Sequence, residues 1–319
     1  MTRWPNLDPE LAAAAEAAPD LDLADVAATR ALIAAGAEAS PSAPSYDGVT
    51  VRDVAAPGLD GAPDVAIRLM TPAGASGVLP VLLAMHGGGF VIGTTQDFDY
   101  FCLEVVRSLG IAVANVEYRL APETPFPGAV DDCAAALRFV HDHAGALGLD
   151  ASRIAVGGSS AGGGLAAATV LRARDEGGPA VAYQLLLSPA LDDRRRTWSA
   201  TRLDDVPVLS RRTGESVWQH YLGPGYTGPD DPDVSPYAAP ARATDLSGLP
   251  PAYIAAMELD LARDEGILYA MRLLEAGVSV ELHAHPGTFH GSAEFAPQAA
   301  SSVRIVQGMI DGLRRGLGV

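Results

Sequence analysis

The pentapeptide Gly158-Ser159-Ser160-Ala161-Gly162 begins one residue after the apolar run at residues 154–156. A strand that turns sharply into a helix needs small residues on both sides of the turn, and this G-x-S-x-G pattern supplies them. Such a turn would leave Ser160 exposed at its apex. An ordinary Gly/Ser loop can also have this sequence, so Ser160 is a candidate nucleophile whose partners must be found elsewhere in the chain.

Short apolar runs alternate with helical patterns through most of the chain. The runs lie at residues 81–85, 111–116, 154–156, 183–187, 253–257 and 278–285, and helices are expected at residues 128–144, 161–176, 263–276 and 297–317. Strands covered on both faces have such sequences, so the pattern predicts an α/β fold with a mostly parallel central sheet flanked by helices. Alternation within residues 49–70 predicts antiparallel edge strands.

The charge of the chain excludes several functions. The formal net charge is −17, which would repel nucleic acid and anionic lipid surfaces, so no nucleic-acid partner is expected. All 22 basic residues are arginine. The chain therefore has no lysine for a Schiff base, a Walker phosphate site or an S-x-x-K hydrolase. The short basic runs at residues 194–196 and 211–212 are interpreted as solvated surface.

The two cysteines, Cys102 and Cys133, form no C-x-x-C pair or Cys/His cluster. This favours reduced core cysteines over a disulfide scaffold or a zinc site, and no metal or cofactor is expected. The N-terminus lacks a signal-peptide pattern, and no run of about 18 apolar residues could span a membrane. A cytoplasmic location is the resulting expectation.

A serine nucleophile needs a base, and the base needs an acid that orients it. The chain has seven histidines: His86, His141, His143, His220, His283, His285 and His290. His290 is favoured because it follows the last predicted strand, in the loop 286–291, at the carboxyl end of the sheet. The positions of the other histidines favour packing or surface roles.

The acid is expected between the serine and the histidine in chain order. Residues 258–266 supply four carboxylates directly after the strand 253–257. Asp260 is placed in the loop, whereas Asp264 and Glu265 fall in the first turn of the next helix, where helix-dipole stabilisation is reason enough for a carboxylate. Asp260 is therefore chosen over Asp264 and Glu258.

An acyl-transfer site must also stabilise an oxyanion with backbone N–H groups. Residues 86–89 read His-Gly-Gly-Gly after the strand 81–85 and offer unobstructed peptide groups, and the N–H of Ala161 would complete the hole. A glycine run after a strand can instead hold a dinucleotide phosphate. The order here is not G-x-G-x-x-G, and no acidic residue follows at the expected spacing, which disfavours that alternative.

Two further segments surround this core. Residues 9–36 are alanine-rich with acidic interruptions, which predicts one or two short amphipathic helices. Residues 192–249 break the strand–helix alternation with a polar, aromatic and proline-containing insert. A long excursion of this kind commonly forms a lid or a substrate wall, although a purely structural insert has the same appearance.

Taken in order, these motifs resemble the hormone-sensitive-lipase-like carboxylesterases of the α/β-hydrolase fold. The resemblance covers most of the chain after about residue 75. It rests on the segments 86–90, 118–123 and 125–127, on Ser160 in its pentapeptide, and on residues 260–266 and 290–291.

The resemblance implies a Ser160–His290–Asp260 triad, with the N–H groups of Gly88, Gly89 and Ala161 forming the oxyanion hole. His86 would order the glycine loop. The implied organisation is a helical cap from residues 1–45 and 192–226, and a core from residues 46–191 and 227–319. The peptide bonds before Pro122 and Pro127 would be cis, and a homodimer is possible in this family.

Three departures from the family pattern concern the site. Ser159 stands where the family has aspartate or threonine, which would alter a helper contact to the acid loop. Ser292 replaces a frequent phenylalanine, and the acid loop lacks the usual proline after Asp260. The expected function is cofactor-independent hydrolysis of short-to-medium acyl esters through an acyl-enzyme. The alternatives are an amide or carbamate hydrolase of the same fold and a non-catalytic ligand-binding relative.

Overall fold

The structure is a computed structural model, and it describes residues 3–18, 23, 25–39 and 44–319. Parts of the predicted N-terminal cap segment, namely residues 1–2, 19–22, 24 and 40–43, lie outside the described residues.

Eight strands form one sheet in the order β1-β2-β4-β3-β5-β6-β7-β8. Their bounds are β1 Val49–Ala56, β2 Val65–Pro72, β3 Leu79–Met85, β4 Ala112–Glu117, β5 Leu149–Ser159, β6 Tyr183–Leu187, β7 Ala252–Leu259 and β8 Val280–Phe289. The β1–β2 and β2–β4 pairs are antiparallel, and every pair from β4 to β8 is parallel. The mostly parallel sheet with antiparallel strands at one edge is confirmed.

The helices cover both faces of the sheet and most of them alternate with its strands. They are α1 Ala12–Ala17, α2 Val26–Ala39, α3 Thr95–Leu109, α4 Gly128–Asp142, α5 Ala144–Leu147, α6 Ala161–Asp175, α7 Trp198–Arg202, α8 Arg211–Leu222, α9 Arg263–Glu275, α10 Ser292–Phe295 and α11 Ala300–Leu317. The peptide bonds before Pro122 and Pro127 are cis, as the family pattern implied.

The core is divided by the sheet into two layers. Val81, Leu83 and Met85 of β3 face a cluster that includes α4, α6 and α9. Leu82 and Ala84 of the same strand face a second cluster built with α3 and α11. This alternation buries both faces of the central strand, and the resulting helix–sheet–helix sandwich fixes the carboxyl ends of β3, β5, β7 and β8 at one edge.

The last strand was predicted to end too early, at residue 285, whereas His290 lies in the turn after the strand as expected. Strand β8 continues through Phe289, so His290 follows the strand immediately. Turn-forming residues at 286–287 suggested an earlier end, but backbone and side-chain contacts keep this stretch extended. Gly287 N–H donates to Glu258 Oε2 at 2.7 Å, and the Gly287 carbonyl accepts from Asp8 N–H at 2.9 Å.

The two segments predicted to form the cap lie next to each other above the carboxyl edge. His220 of α8 contacts the Leu23 carbonyl through Nε2 at 2.8 Å. The indole N–H of Trp4 donates to the Asp205 carbonyl at 2.7 Å, and the Arg3 guanidinium pairs with the Asp205 carboxylate. The N-terminal segment and the insert after β6 are therefore joined by hydrogen bonds and an ion pair.

Candidate active site

Ser160 lies at a strained turn between β5 and α6. Its backbone φ is +56° and its ψ is −117°, a conformation that L-residues rarely adopt. A Cβ at Gly158 would lie 2.5 Å from the Met85 carbonyl oxygen, and a Cβ at Gly162 would lie 2.2 Å from that same oxygen. The glycines of the pentapeptide are therefore required because the turn is pressed against the end of β3.

Hydrogen bonds connect Ser160, His290 and Asp260 in series. His290 Nε2 lies 2.8 Å from Ser160 Oγ, and His290 Nδ1 lies 2.8 Å from Asp260 Oδ2. Asp260 is fully buried, and its Oδ1 accepts from Ala262 N–H at 2.9 Å. The three residues follow the strands β5, β7 and β8, whose parallel arrangement brings them to one edge of the sheet.

The surroundings of His290 favour its protonated form. Burial disfavours the imidazolium, but the charge and hydrogen bond of Asp260 and the charge of Glu294 outweigh this effect and raise the pKa of His290 above 6.5. An imidazole held in this way can accept a proton and keep it while a reaction proceeds.

The other candidate acids have different partners. Glu258 accepts from the side-chain amide of Asn6 at 2.9 Å and from Gly287 N–H. Asp264 accepts from Ser199 N–H at 2.7 Å and pairs with Arg263. Within the described residues, neither carboxylate contacts His290.

Gly88 and Gly89 line the same cavity as Ser160, and Ala161 follows Ser160 directly in the chain. Gly88 and Gly89 have φ values of +112° and +59°, so this loop adopts a backbone conformation that favours glycine. Ala161 is the first residue of α6, where an N–H has no acceptor within the helix. Among the described residues, none of the three N–H groups donates to another backbone carbonyl.

His86 has a supporting position in the glycine loop. Its ring stacks on Tyr118 with a centroid distance of 4.2 Å, and Tyr118 Oη donates to the His86 carbonyl at 2.8 Å. Burial lowers the pKa of His86, which keeps the ring neutral. These contacts agree with a role in ordering the loop.

A cavity of about 450 Å³ opens above Ser160 and His290. Most of its wall is apolar, and residues from both predicted cap segments and from the core contribute to it. The larger apolar side chains of the lining are Leu23, Ile33, Ile92, Phe98, Val208, Leu209, Val217, Trp218, Leu261 and Phe295. A concave apolar site with a few polar groups at its floor is typical of small-molecule binding.

Two carboxyl groups in this cavity were not identified as functional from the sequence. Glu294 accepts from Ser159 Oγ at 3.1 Å, so the side chain before Ser160 contacts the turn after His290 and not the acid loop. Glu265 is buried and accepts from Leu191 N–H at 2.9 Å. Glu265 lies in the first turn of α9, as predicted, and burial raises its pKa well above 4.5.

The basic run at residues 194–196 was also interpreted wrongly in part. The side chain of Arg195 is only 20% exposed, pairs with Glu215 at 3.0 Å and contributes to the cavity wall. Arg211 contributes to the same wall and pairs with Asp204. Both arginines thus form ion pairs with acidic residues of the insert. The charge pattern of the sequence does not distinguish such paired arginines from solvated ones.

Other site types have no support in the described part of the chain. Its His, Cys, Asp and Glu side chains form no group of three or more that could hold a metal ion. Cys102 and Cys133 are both free and buried. None of the helices in residues 3–18, 25–39 and 44–319 combines the length and apolar character needed to cross a membrane.

Comparisons with known proteins show the family to which the chain belongs. A family model described as the alpha/beta hydrolase fold matches residues 82–294, and the chain belongs to this family. Carboxylesterase NlhH of Mycobacterium tuberculosis is 41% identical over 242 residues, which cover 75% of each chain. The resemblance to hormone-sensitive-lipase-like carboxylesterases is thereby confirmed, and the chain is a serine carboxylesterase.

Solved structures extend this similarity over nearly the whole chain. A bacterial heroin esterase is 59% identical, covers 99% of both chains and superimposes with a TM-score of 0.96. Esterase LipW of Mycobacterium marinum is 36% identical, covers 98% of this chain and 96% of its own, and gives a TM-score of 0.88.

Proposed function

We propose that the chain hydrolyses short-to-medium acyl esters through an acyl-enzyme formed on Ser160. The observation that carries the proposal is the series of 2.8 Å hydrogen bonds from Asp260 through His290 to Ser160 at the floor of an apolar cavity. Asp260 fixes the imidazole tautomer, which leaves Nε2 as the acceptor for the serine proton.

In the first half-reaction, Ser160 Oγ attacks the ester carbonyl carbon while His290 Nε2 takes the hydroxyl proton. The N–H groups of Gly88, Gly89 and Ala161 stabilise the oxyanion of the tetrahedral intermediate. The C–O bond to the alcohol then breaks, and His290 returns the proton to the departing alkoxide. In the second half-reaction, water repeats the attack with His290 as base, and the carboxylic acid leaves.

A fluorophosphonate probe tests the nucleophile. The wild-type chain should gain one adduct by intact mass, and fragmentation should place it on Ser160. Ser160→Ala and His290→Ala should remain unlabelled, while Ser152→Ala, which changes an exposed serine bonded to Asp150, should label like the wild type. Labelling of Ser160→Ala would contradict the proposed nucleophile.

We further propose that residues 1–45 and 192–226 act as a cap over a core of residues 46–191 and 227–319. The contacts between Leu23 and His220 and the apolar residues that both segments contribute to the cavity support this division.

Because Phe295 is 42% exposed at the cavity wall, Phe295→Ala should relax the chain-length limit with little loss of stability. The kcat/KM for a series of p-nitrophenyl esters measures this limit.

The substrate panel should include bulky alcohols and matched amides. The 59%-identical neighbour is named for heroin, itself an ester, so hydrolysis of that compound by this chain is a reasonable first test. Ester hydrolysis is proposed over amide or carbamate hydrolysis because the relatives are named esterases. Faster turnover of an anilide than of its matched phenyl ester would contradict this choice.

We also propose a homodimer formed at the β8 edge of the sheet. Leu268, Met271 and Leu274 of α9 and Leu282 of β8 are between 38% and 54% exposed. An apolar surface beside an open strand edge favours association with another copy. Light scattering after gel filtration should give a dimer for the wild type and for Val303→Arg on α11, and a monomer for Met271→Arg. A monomeric wild type at micromolar concentration would contradict it.

We also propose a cytoplasmic location, because Cys102 and Cys133 are free and the described residues contain no disulfide. Fractionation of cells that produce the chain, with activity assayed in each fraction, tests this location. Activity confined to the medium or the envelope would contradict it.

A further inference from the structure

The residue before the nucleophile and the turn after the histidine are held together by one side-chain hydrogen bond. Ser159 Oγ donates to Glu294 Oε1 at 3.1 Å. Ser159 is 4% exposed and directly precedes Ser160, whereas Glu294 lies four residues after His290, in the single turn of α10. The bond therefore connects the two chain segments that must place Ser160 Oγ against His290 Nε2.

We propose that Glu294 is a positioning residue of the catalytic centre. Its hydrogen bond to Ser159 holds the turn after His290 against the strand-to-helix turn that carries Ser160, which is called the elbow below. The proposal rests on the proposed Ser160–His290–Asp260 mechanism. Because Ser159 occupies the position at which the family has aspartate or threonine, this chain carries no carboxylate on the elbow itself. Glu294 supplies one from the opposite segment.

The backbone around Glu294 suits this role. Gly291 has a φ of +74°, and its carbonyl accepts from Glu294 N–H at 2.8 Å, so the chain reverses tightly after His290. The side chain of Glu294 contributes to the cavity wall, beside His290 and Ser159. A tight turn fixed at its far end by a carboxyl group leaves the imidazole less freedom to rotate away from Ser160, and sub-ångström errors in such geometry are costly.

The charge of Glu294 has a second effect, on the pKa of His290, which can be tested separately. Two titratable groups act on Glu294: His290 beyond the end of β8, and Asp97 in the first turn of α3. Glu294 as a whole is exposed, but desolvation of its carboxyl group raises its pKa, and His290 and Ser159 oppose that shift. In return, an ionised Glu294 raises the pKa of His290. Each charge therefore shifts the pKa of the other group, so removal of the carboxylate moves the pH at which the base becomes available.

The positional effect is tested by a double-mutant cycle with Ser159→Ala, Glu294→Ala and their combination, assayed on p-nitrophenyl acetate. Each single variant should lower kcat about tenfold, with KM within about twofold of the wild-type value. The double variant should be no worse than the poorer single variant, because both changes remove the same bond. Wild-type kcat in both singles, or fully multiplicative losses, would overturn the proposal.

The charge effect is tested by Glu294→Gln, whose amide oxygen can still accept from Ser159. Its kcat should stay within about threefold of the wild-type value, while the acid limb of kcat/KM moves to lower pH. A merely structural role would not move this limb, so an unchanged limb would overturn the proposed effect of the Glu294 charge on His290. The control is Glu275→Gln, at the far end of α9, which should leave both the rate and the pH profile unchanged.

Thermal melting of each variant separates misfolding from mispositioning. Ser160→Ala in the same assay separates the two proposals. An inactive Ser160→Ala beside a fully active Glu294→Ala refutes only the positioning role, whereas an active Ser160→Ala refutes the mechanism on which that role depends.

Discussion

The guanidinium of Arg30 donates through Nε to the carbonyl oxygen of Val91 at 2.8 Å. The same side chain donates to the Ala121 carbonyl at 2.9 Å and forms a forked pair with Glu123. One residue of α2 thus ties the predicted cap to the segment that follows the glycine loop and to the turn around residue 122.

Arg30→Ala should weaken this connection. We expect the free energy of unfolding in urea to fall by about 1–2 kcal/mol, since charge-assisted bonds to carbonyls are lost but the Glu123 pair is mostly solvated. The kcat/KM should also decrease, because the glycine loop loses a support. Arg30→Lys is the control, because lysine keeps the charge but cannot form the two parallel hydrogen bonds of a guanidinium to a carboxylate. Full stability and activity in Arg30→Ala would contradict the connection.

Gly162→Ala should destroy the elbow. The added Cβ would lie 2.2 Å from the Met85 carbonyl and 2.3 Å from the His86 carbonyl, and backbone cannot yield as a flexible side chain can. We expect a loss of about 3 kcal/mol or more, measured by thermal and urea denaturation, together with loss of activity. Gly145→Ala in α5, where a Cβ meets nothing within 4 Å, is the control and should fold as the wild type does. Equal stability of the two variants would count against this packing.

The pH dependence of kcat/KM should follow the raised pKa of His290. The base must be neutral to accept the serine proton, so activity falls as the pH drops through this pKa. Because Asp260 and Glu294 raise it, the midpoint of the acid limb should lie above the ordinary value of 6.5. A pH–rate profile on a neutral ester measures the midpoint, and a value at or below 6.5 would show that burial dominates instead.

Glu265→Gln should change how stability depends on pH. Burial raises the pKa of Glu265 in the folded chain, so the folded state prefers the acid form. The contribution is complete below the ordinary pKa of 4.5 and is lost as the pH rises through the folded value. A glutamine cannot ionise, so the variant should gain melting temperature relative to wild type as the pH increases from 5 to 9, by a few degrees. A constant difference across that range would contradict the assignment.

The sequence predicts the sheet and the carboxyl edge well because periodicity reports burial directly. Runs such as residues 81–85 and 183–187 coincide with β3 and β6 almost residue for residue. The prediction is poorer at residues 286–289, where local turn propensity competes with tertiary bonds to Glu258 and Asp8 that lie far away in the chain.

The candidate site residues also differ in whether the local sequence reveals them. Ser160 carries a local signature, because its turn needs glycine at defined positions. Glu294 carries none: its carboxyl matters through a contact with Ser159, 135 positions earlier. The absence of an acid at position 159 was the one available signal, since it left a place near the elbow for a carboxylate from another segment. Glu265 is similar, because burial cannot be read from its place in a helix's first turn.

The most direct measurement of the central claim is the turnover of p-nitrophenyl acetate by Ser160→Ala, with correct folding verified by thermal melting. Because Ser160 is proposed to form the covalent intermediate, kcat/KM should fall by about four orders of magnitude or more. A Ser160→Ala enzyme that keeps the wild-type rate would contradict the proposed nucleophile and, with it, the acyl-enzyme mechanism.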